Sequence, residues 1–528
     1  MQSSETHVAR GATFVFLQGF IHSGLGVLYV WFLLHTKEIT GQILFTQENW
    51  GLSTILSFVL TLTSTVGILS LRAASVKYIS QYLAERKVDR AKSVVSRVLQ
   101  VSAITSLVEI ALLFGLANTL STSLASTDPN AILIFQLLPL SSVFQILYFQ
   151  ALGFLQGLQR LREFAAIGIL YSLTQYSVAI LFVYIGYGVL GIVISWIFAL
   201  ALACILSFSV AFRHIGFSRR PHELKPLLSF SFPIYVSGLL TFVVNWVDQI
   251  FVFGLMDVEA LGVYNIAVRA SFVPNLVSIA LIISLFPKMS EMRSKLGTES
   301  LRDAFRASTR YASLIGFPVS LLVAALAYPI IVLFATVRFS EAAIPLVVMC
   351  VAAIPTILGS AILPALYTLE KTKIASLIGI VSIFLEGFVS YVLLSRLGAD
   401  LSGVAFSRLV AALAAFVLGT YVVRKSLKVK FDKEAIWKSA ISSLVMVFSI
   451  LAMELLRYIA APSSYEFLVL RVRQLPVYAI VGVAVYVLSL VALKAVKGRD
   501  IKLLDNYLPS RLRWIARLAQ RITRVEDQ

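Results

Sequence analysis

NWVDQIFVFGLMDVEALGVYNIAVRASFVP, residues 245–274, decides the fold. Two apolar runs meet at the short acidic turn of residues 256–260, MDVEA, and each carries one ionisable residue inside it, Asp248 before the turn and Arg269 after it. A hydrocarbon core about 30 Å thick takes roughly 20 apolar residues in helical form, so the stretch predicts two antiparallel membrane spans joined by a tight outer turn. A charge at such depth is expensive in lipid and ordinarily faces a protein interior or a water-filled cavity.

The same pattern continues along the chain. Of 528 residues 59% are hydrophobic and only 14% charged, against about half and about a quarter in soluble proteins. This is the composition of an all-α, multi-pass membrane protein. Fourteen candidate spans follow from the length rule, from 11–34 to 477–494; the opening stretch contains the seventh (228–254) and eighth (261–286). The first run is too long for the core of a cleavable signal peptide and reads as the first span.

The formal net charge of +18 excludes a nucleic-acid partner once its location is considered. Loops after even-numbered spans hold the cations, among them Arg72, Lys77, Arg86, Lys87, Arg213, Arg219, Arg220, Arg293 and the run RKSLKVKFDK from Arg424. Loops after odd-numbered spans hold only Lys37, Arg338, Arg396, Arg471 and Arg473. The positive-inside rule therefore places both termini in the cytoplasm of a cell whose plasma membrane holds the protein. Cys204 and Cys350 lie far apart inside apolar segments and read as small buried residues. The five histidines form no i, i+4 pair and no cluster with cysteine, so no metal site and no cofactor is expected.

The chain repeats itself at an offset of about 211 residues. Trp50-Gly51 lines up with Leu261-Gly262, the basic segment from Val76 with that from Pro287, LQRLREFAAIGIL from Leu158 with LEKTKIASLIGIV from Leu369, and YGVLGIVIS from Tyr187 with GADLSGVAFS from Gly398. Spans 1–6 (residues 1–213) and 7–12 (214–425) are then two six-helix lobes. Six is even, so the lobes share an orientation: a parallel repeat about a pseudo-twofold axis along the membrane normal, an arrangement found in alternating-access transporters. Residues 426–494 add spans 13 and 14. In the tail, 495–528, SRLRWIARLAQRITR sets Leu512, Ile515, Ala519 and Ile522 on one face and Arg513, Arg517, Arg521 and Arg524 on another. Such a basic amphipathic helix is expected to lie on the anionic cytoplasmic leaflet.

Five ionisable residues fall inside spans: Glu109, Asp248, Arg269, Glu386 and Arg408. Two readings compete. Asp248 with Arg269, and Glu386 with Arg408, are salt bridges that hold helices in register; or Arg269 and Arg408, with Asp248, bind an anionic headgroup, since a guanidinium offers phosphate two parallel hydrogen bonds. Asp248, Glu109 and Glu386 are also candidates for ion coupling or gating. Prolines distinguish the lobes: Pro233, Pro274, Pro318, Pro329, Pro345, Pro355 and Pro364 fall in spans 7–10, whereas the first lobe has little beyond Pro139. The second lobe is expected to contain bent helices.

Asp248, followed by Gly262-x-Tyr264-x-x-Ala267-x-Arg269 and the Pro287 loop, resembles helices seven and eight of the polysaccharide-transporter family, the O-antigen-type flippases of the multidrug/oligosaccharidyl-lipid/polysaccharide exporter superfamily. WGLSTILSFVLTLTSTVGILSLRAASVKYIS from Trp50 resembles that family's second helix and exit loop. The resemblance spans about residues 11–425. It implies a two-lobed, monomeric transporter that moves polyprenyl-diphosphate-linked oligosaccharide to the outer leaflet, with Arg269 best placed to serve the headgroup. The first two spans have fewer arginines than lipid II flippases, which argues against a peptidoglycan precursor. The alternatives are a cation-coupled exporter of the multidrug and toxin extrusion type, whose first-span carboxylate is missing here, and a membrane glycosyltransferase or polymerase, whose sizeable outer catalytic loops are missing.

Overall fold

The computed structural model describes residues 2–125, 128–429, 431–460 and 472–496. The expected amphipathic tail helix (510–524) and residues 461–471 of the outer loop before the last span lie outside the described residues. The described chain is helical. Thirteen helices are long and apolar enough to cross a membrane, and a pair bent by 45°, Val258–Ala270 with Phe272–Ile283, makes a fourteenth span when counted as one.

The chain divides into two compact units, residues up to Val263 and those from Tyr264 on. The first holds α1 (Gln2–Leu34), the short α2 (Thr36–Thr40), α3 (Gln47–Ile68), α4 (Leu71–Ala84), α5 (Val88–Leu124), α6 (Ala131–Gly157), α7 (Leu161–Tyr184), α8 (Gly188–His214) and α9 (Leu224–Leu255). Helix α7 packs between α1 and α8, α6 against α5 and α8, and α3 and α4 against α5 and α6. Thr46 caps α3 in a reciprocal box with Asn49: its hydroxyl accepts from the Asn49 amide at 3.1 Å, and its own amide donates to Asn49 Oδ1 at 3.0 Å. Helix α3 is rich in hydroxyls, and they are satisfied within the helix. Ser57, Thr61 and Thr65 donate to carbonyls four residues back at 2.7–2.8 Å, the arrangement a polar side chain adopts where no water competes.

Helix α10 (Val258–Ala270) crosses from one unit into the other. The second unit continues with α11 (Phe272–Ala325), α12 (Ala327–Ala335), a 3-10 turn (Val337–Ala342), α13 (Ala343–Leu358), α14 (Ile362–Thr368), α15 (Thr372–Leu397), α16 (Leu401–Leu427), α17 (Lys433–Ala460) and α18 (Leu475–Ala492). Helix α13 packs on α11 and α16, α15 on α16, and α17 between α11 and α18.

Three helix breaks of the second unit share a cause. Helix α10 ends at Ala270, α11 at Ala325, and the α13–α14 break includes Ser360; these are the residues four before Pro274, Pro329 and Pro364. A proline lacks the amide that would bond the i−4 carbonyl, and its ring collides with that carbonyl. Spans 8, 9 and 10 are interrupted as expected, but span 7 is not: Pro233 sits inside continuous α9.

Local geometry recurs at the 211-residue spacing. Helices α3 and α10 begin at Gln47 and Val258, and α7 and α15 at Leu161 and Thr372. Left-handed residues Arg86 (φ 58°) and Gly297 (φ 77°), and Gln159 (φ 57°) and Glu370 (φ 61°), are spaced alike. Helices α6 and α14 end in the same Schellman turn: the amides of Arg160 and Lys371 donate to the carbonyls of Leu155 and Leu366, both at 2.9 Å, and those of Gln159 and Glu370 to Gln156 and Tyr367, both at 3.0 Å.

Candidate functional site

The five membrane-embedded charges have distinct surroundings. In the second unit, Arg408 on α16 and Glu386 on α15 come together, Nε to Oε1, at 3.9 Å. A hydroxyl pair one turn away, Ser390 and Ser407 at 2.6 Å, ties the same two helices. Glu386 is buried, whereas the Arg408 side chain keeps 26% of its surface exposed. That surface borders a cavity of about 40 Å³ lined also by Ser271 and Asn275 from the start of α11, and by Met349, Ala352, Ala353 and Thr356 from α13. Such a volume holds a few water molecules and no diphosphate. Arg408 thus has one edge on a carboxylate and another on a polar, wettable void.

Arg269 stands on the last turn of α10, a helix buried continuously from Leu261 to Ala267, yet its own side chain is exposed. Its Nε donates to Asn265 Oδ1 at 2.9 Å, one turn back, and its place at a helix C-terminus suits a cation. The Pro274-directed break at Ala270 fixes that C-terminus, so the proline sets where Arg269 is presented.

Asp248 belongs to the first unit. It is fully buried on α9, and its Oδ1 accepts from the Gln249 amide at 2.8 Å. Thr241, Asn245 and Gln249 form a polar ladder along the same helix: Asn245 Nδ2 donates to the Thr241 carbonyl at 2.9 Å and Gln249 Nε2 to that of Asn245 at 3.3 Å. Phe58 on α3, the residue 211 before Arg269, packs on Phe242 and Trp246 of α9 with ring centroids 5.4 and 5.3 Å apart.

Glu109 is 6% exposed on α5. Ser142 of α6 donates to its Oε2 at 2.5 Å, and Ser142 Oγ is 3.0 Å from Thr63 Oγ1 of α3.

Three groups have surroundings that the sequence reading did not assign. His22 of α1 meets Ser172 Oγ at 2.8 Å and Tyr176 of α7 at 3.5 Å; only the α1–α7 packing brings these together. Arg72, at the start of α4, lies 5.9 and 5.7 Å from the ring centres of Phe149 and Phe164, so a charge counted for topology is also a cation–π partner. Arg310 is a buried cation on α11: its Nη1 faces Asp432 Oδ2 at 3.4 Å and its Nη2 donates to the Ala495 carbonyl at 2.6 Å. Its position near the start of span 9 was the available signal.

These features define a class: a multi-pass, all-α membrane protein with acidic and basic side chains embedded in its spans. The chain shares its fold with the lipid II flippase MurJ in an inward closed conformation (TM-score 0.66, 16% identity, 90% of this chain and 97% of that one). It shares it also with an inward-facing multidrug resistance MATE family transporter of the MOP superfamily (TM-score 0.63, 14% identity, 77% and 95%), and with a MATE protein in complex with MaL6 (TM-score 0.55, 15% identity, 79% and 96%). A sequence comparison with curated proteins finds no match. The profile of the family described as polysaccharide biosynthesis protein matches residues 44–345, and the chain belongs to that family.

Proposed function

We propose that this protein is a flippase that carries polyprenyl-(di)phosphate-linked oligosaccharide from the inner to the outer leaflet by alternating access, for assembly of surface polysaccharide or glycoprotein glycan. The observation that carries the reading is Arg408 at a polar void inside the membrane, in a member of a polysaccharide biosynthesis family with a transporter fold. A headgroup of phosphates and sugars does not cross about 30 Å of hydrocarbon unaided, because each unsatisfied polar group costs several kcal/mol. Arg269 and Arg408 supply guanidinium donors for the phosphates, and Asp248 is the acidic substrate-binding candidate of the first unit. The 40 Å³ void is then the closed form of a site that opens in another state.

In this reading the lobes are residues 1–213 and 214–425, with 426–494 appended; the recurring helix starts and Schellman turns at 211 residues support the repeat. The protein works as a monomer in the plasma membrane with both termini cytoplasmic, and its basic tail rests on the anionic leaflet. It performs no covalent chemistry. Export of small cations is the second reading, supported by the likeness to MATE transporters; the first span, 11–34, has no carboxylate to couple it.

Deletion of the gene in its native cell is the test. Accumulation of lipid-linked glycan on the cytoplasmic leaflet with loss of surface glycan is expected. Normal surface glycan, with no second flippase present, overturns the proposal, and resistance to cationic drugs upon expression favours the second reading.

A further inference from the structure

Glu109 is a membrane-embedded acid without a counter-charge. Its Oε1 is buried and has no hydrogen-bond partner, and among the described residues no ion pair includes Glu109. The other oxygen heads a relay. Ser142 Oγ lies 2.5 Å from Oε2 and 3.0 Å from Thr63 Oγ1, and Thr63 donates onward to the Val59 carbonyl at 2.9 Å. The carboxyl lies flat against α3 because residue 67 is glycine: a Cβ there would stand 2.1 Å from Oε1. Two further buried hydroxyls without partners, Ser102 and Ser106, lie seven and three residues earlier on α5, on the same helical face.

An ionised carboxylate in this position would have one hydroxyl donor and no cation, against a desolvation penalty of several kcal/mol. A protonated carboxyl needs far less, and rotation of the Ser142 hydroxyl from donor to acceptor lets the relay take its proton: Glu109 donates to Ser142, Ser142 to Thr63 and Thr63 to the Val59 carbonyl. A metal ion fits poorly. A hard cation takes about six oxygens, more than Glu109, Ser142 and Thr63 bring together here.

We propose that the Glu109 carboxyl is a proton-exchange site: protonated, it seals α5 against α3 and α6, and on releasing its proton it draws in water along Ser106 and Ser102 and loosens that packing. Proton binding shifts the balance between the sealed and open states because only the sealed state excludes the charge. The site rests on the transport reading only for its consequence, a proton gradient that drives the cycle.

Few other groups compete for the titration. Helix α3 carries Glu48 alone, near its far end. Helix α6 carries only Tyr148, stacked near Tyr171 with centroids 5.4 Å apart. Helix α4 carries Arg72, Lys77, Tyr78 and Tyr82, and α5 itself Asp89, Arg90, Lys92 and Arg97 towards its start.

The test uses the full chain in lipid vesicles, with Cys204 and Cys350 replaced and Ser106→Cys as reporter for a small thiol reagent whose own pH dependence is corrected. Reaction is expected to rise about tenfold per pH unit below the midpoint, following the ionised fraction, and to become pH-independent and slow with Glu109→Gln. Gly67→Ala, which prevents the seal, is expected to react fast at every pH. Reaction that is flat with pH, or that titrates equally in Glu109→Gln, overturns the proposal. Glycan transport measured on the same vesicles separates the two readings. A titrating reporter with no glycan transport leaves the proton site and removes the flippase; transport with a flat reporter does the reverse.

Discussion

Gly51 and Gly262 stand 211 residues apart in sequence and touch. A Cβ on Gly262 would lie 2.9 Å from the Gly51 backbone nitrogen and 2.2 Å from the Gln47 carbonyl oxygen; a Cβ on Gly51 would lie 1.8 Å from the Val258 carbonyl oxygen. Gln47 and Val258 are themselves 211 apart, so each glycine packs on the counterpart of the residue its partner packs on. The starts of α3 and α10 thus approach each other backbone to backbone, at distances only glycine permits.

Gly51→Ala or Gly262→Ala should therefore open this contact without unfolding the protein. The overpacking penalty is about 1–3 kcal/mol, enough to shift a two-state equilibrium by roughly tenfold or more. Cysteines at 47 and 258 report it: Gln47→Cys with Val258→Cys is expected to form a disulfide readily in the parent, to arrest transport when oxidised, and to cross-link several-fold more slowly with either alanine. Equal cross-linking in all three proteins would show that the contact yields without separating.

Arg269 is exposed on the last turn of α10, so its loss should leave folding intact. A charge-assisted hydrogen bond to phosphate contributes about 1.5–3 kcal/mol. Arg269→Ala is accordingly expected to reach the membrane at normal abundance and to lower glycan transport by at least about tenfold, with Arg269→Lys intermediate because the ammonium keeps the charge and loses the fork. The charge exchange Asp248→Arg with Arg269→Asp is expected to fold and not to transport. Recovery of transport by the exchange would make the two residues a structural pair.

Arg408 poses the same choice with a partner on the page. Its ion pair with Glu386 is long, at 3.9 Å, and a quarter of the arginine is exposed while Glu386 is buried, so removing the arginine alone strands a buried carboxylate and the carboxylate must be neutralised with it. Glu386→Gln should cost little in melting temperature and keep transport, whereas Arg408→Ala combined with Glu386→Gln, which leaves no unpaired charge, should keep most stability and lose transport about tenfold or more. Equal losses of stability from both changes would identify a structural bridge.

The spans and their tight turns were legible because hydrocarbon thickness imposes a length and lipid tolerates few exceptions. Glu386 with Arg408 was legible too, since two charges at similar depth on adjacent antiparallel helices have few other partners. Surroundings were not. Nothing in LTLTST or LPLSS says that Thr63 and Ser142 converge on Glu109, 46 and 33 residues away, because hydroxyls in a membrane helix usually bond their own backbone, as Ser57 and Thr61 do. The prolines of spans 8 to 10 marked broken helices correctly, yet Pro233 and Pro355 are carried within continuous α9 and α13. The lost bond is the same at every proline, and which helix breaks depends on what packs around it.

Arg310 tests how the last two spans are held to α11. Its guanidinium reaches Asp432, whose other oxygen accepts from the Ala435 amide at 3.2 Å and so caps α17, and it also donates to the Ala495 carbonyl just beyond α18. One cation thus closes the start of one helix and the end of another, with both ionic side chains only 8% exposed. Removing it strands a buried carboxylate, a change that costs about 3–5 kcal/mol. Arg310→Ala should lower the melting temperature in detergent markedly, and Asp432→Asn less, since the asparagine still caps α17. The double variant Arg310→Met with Asp432→Asn leaves no unpaired charge and should recover much of the loss. Transport per folded molecule is expected to stay near normal in all three, because α17 and α18 are appended to the twelve spans in the proposed arrangement; an unchanged melting temperature in Arg310→Ala would mean that water, not Asp432, satisfies the guanidinium.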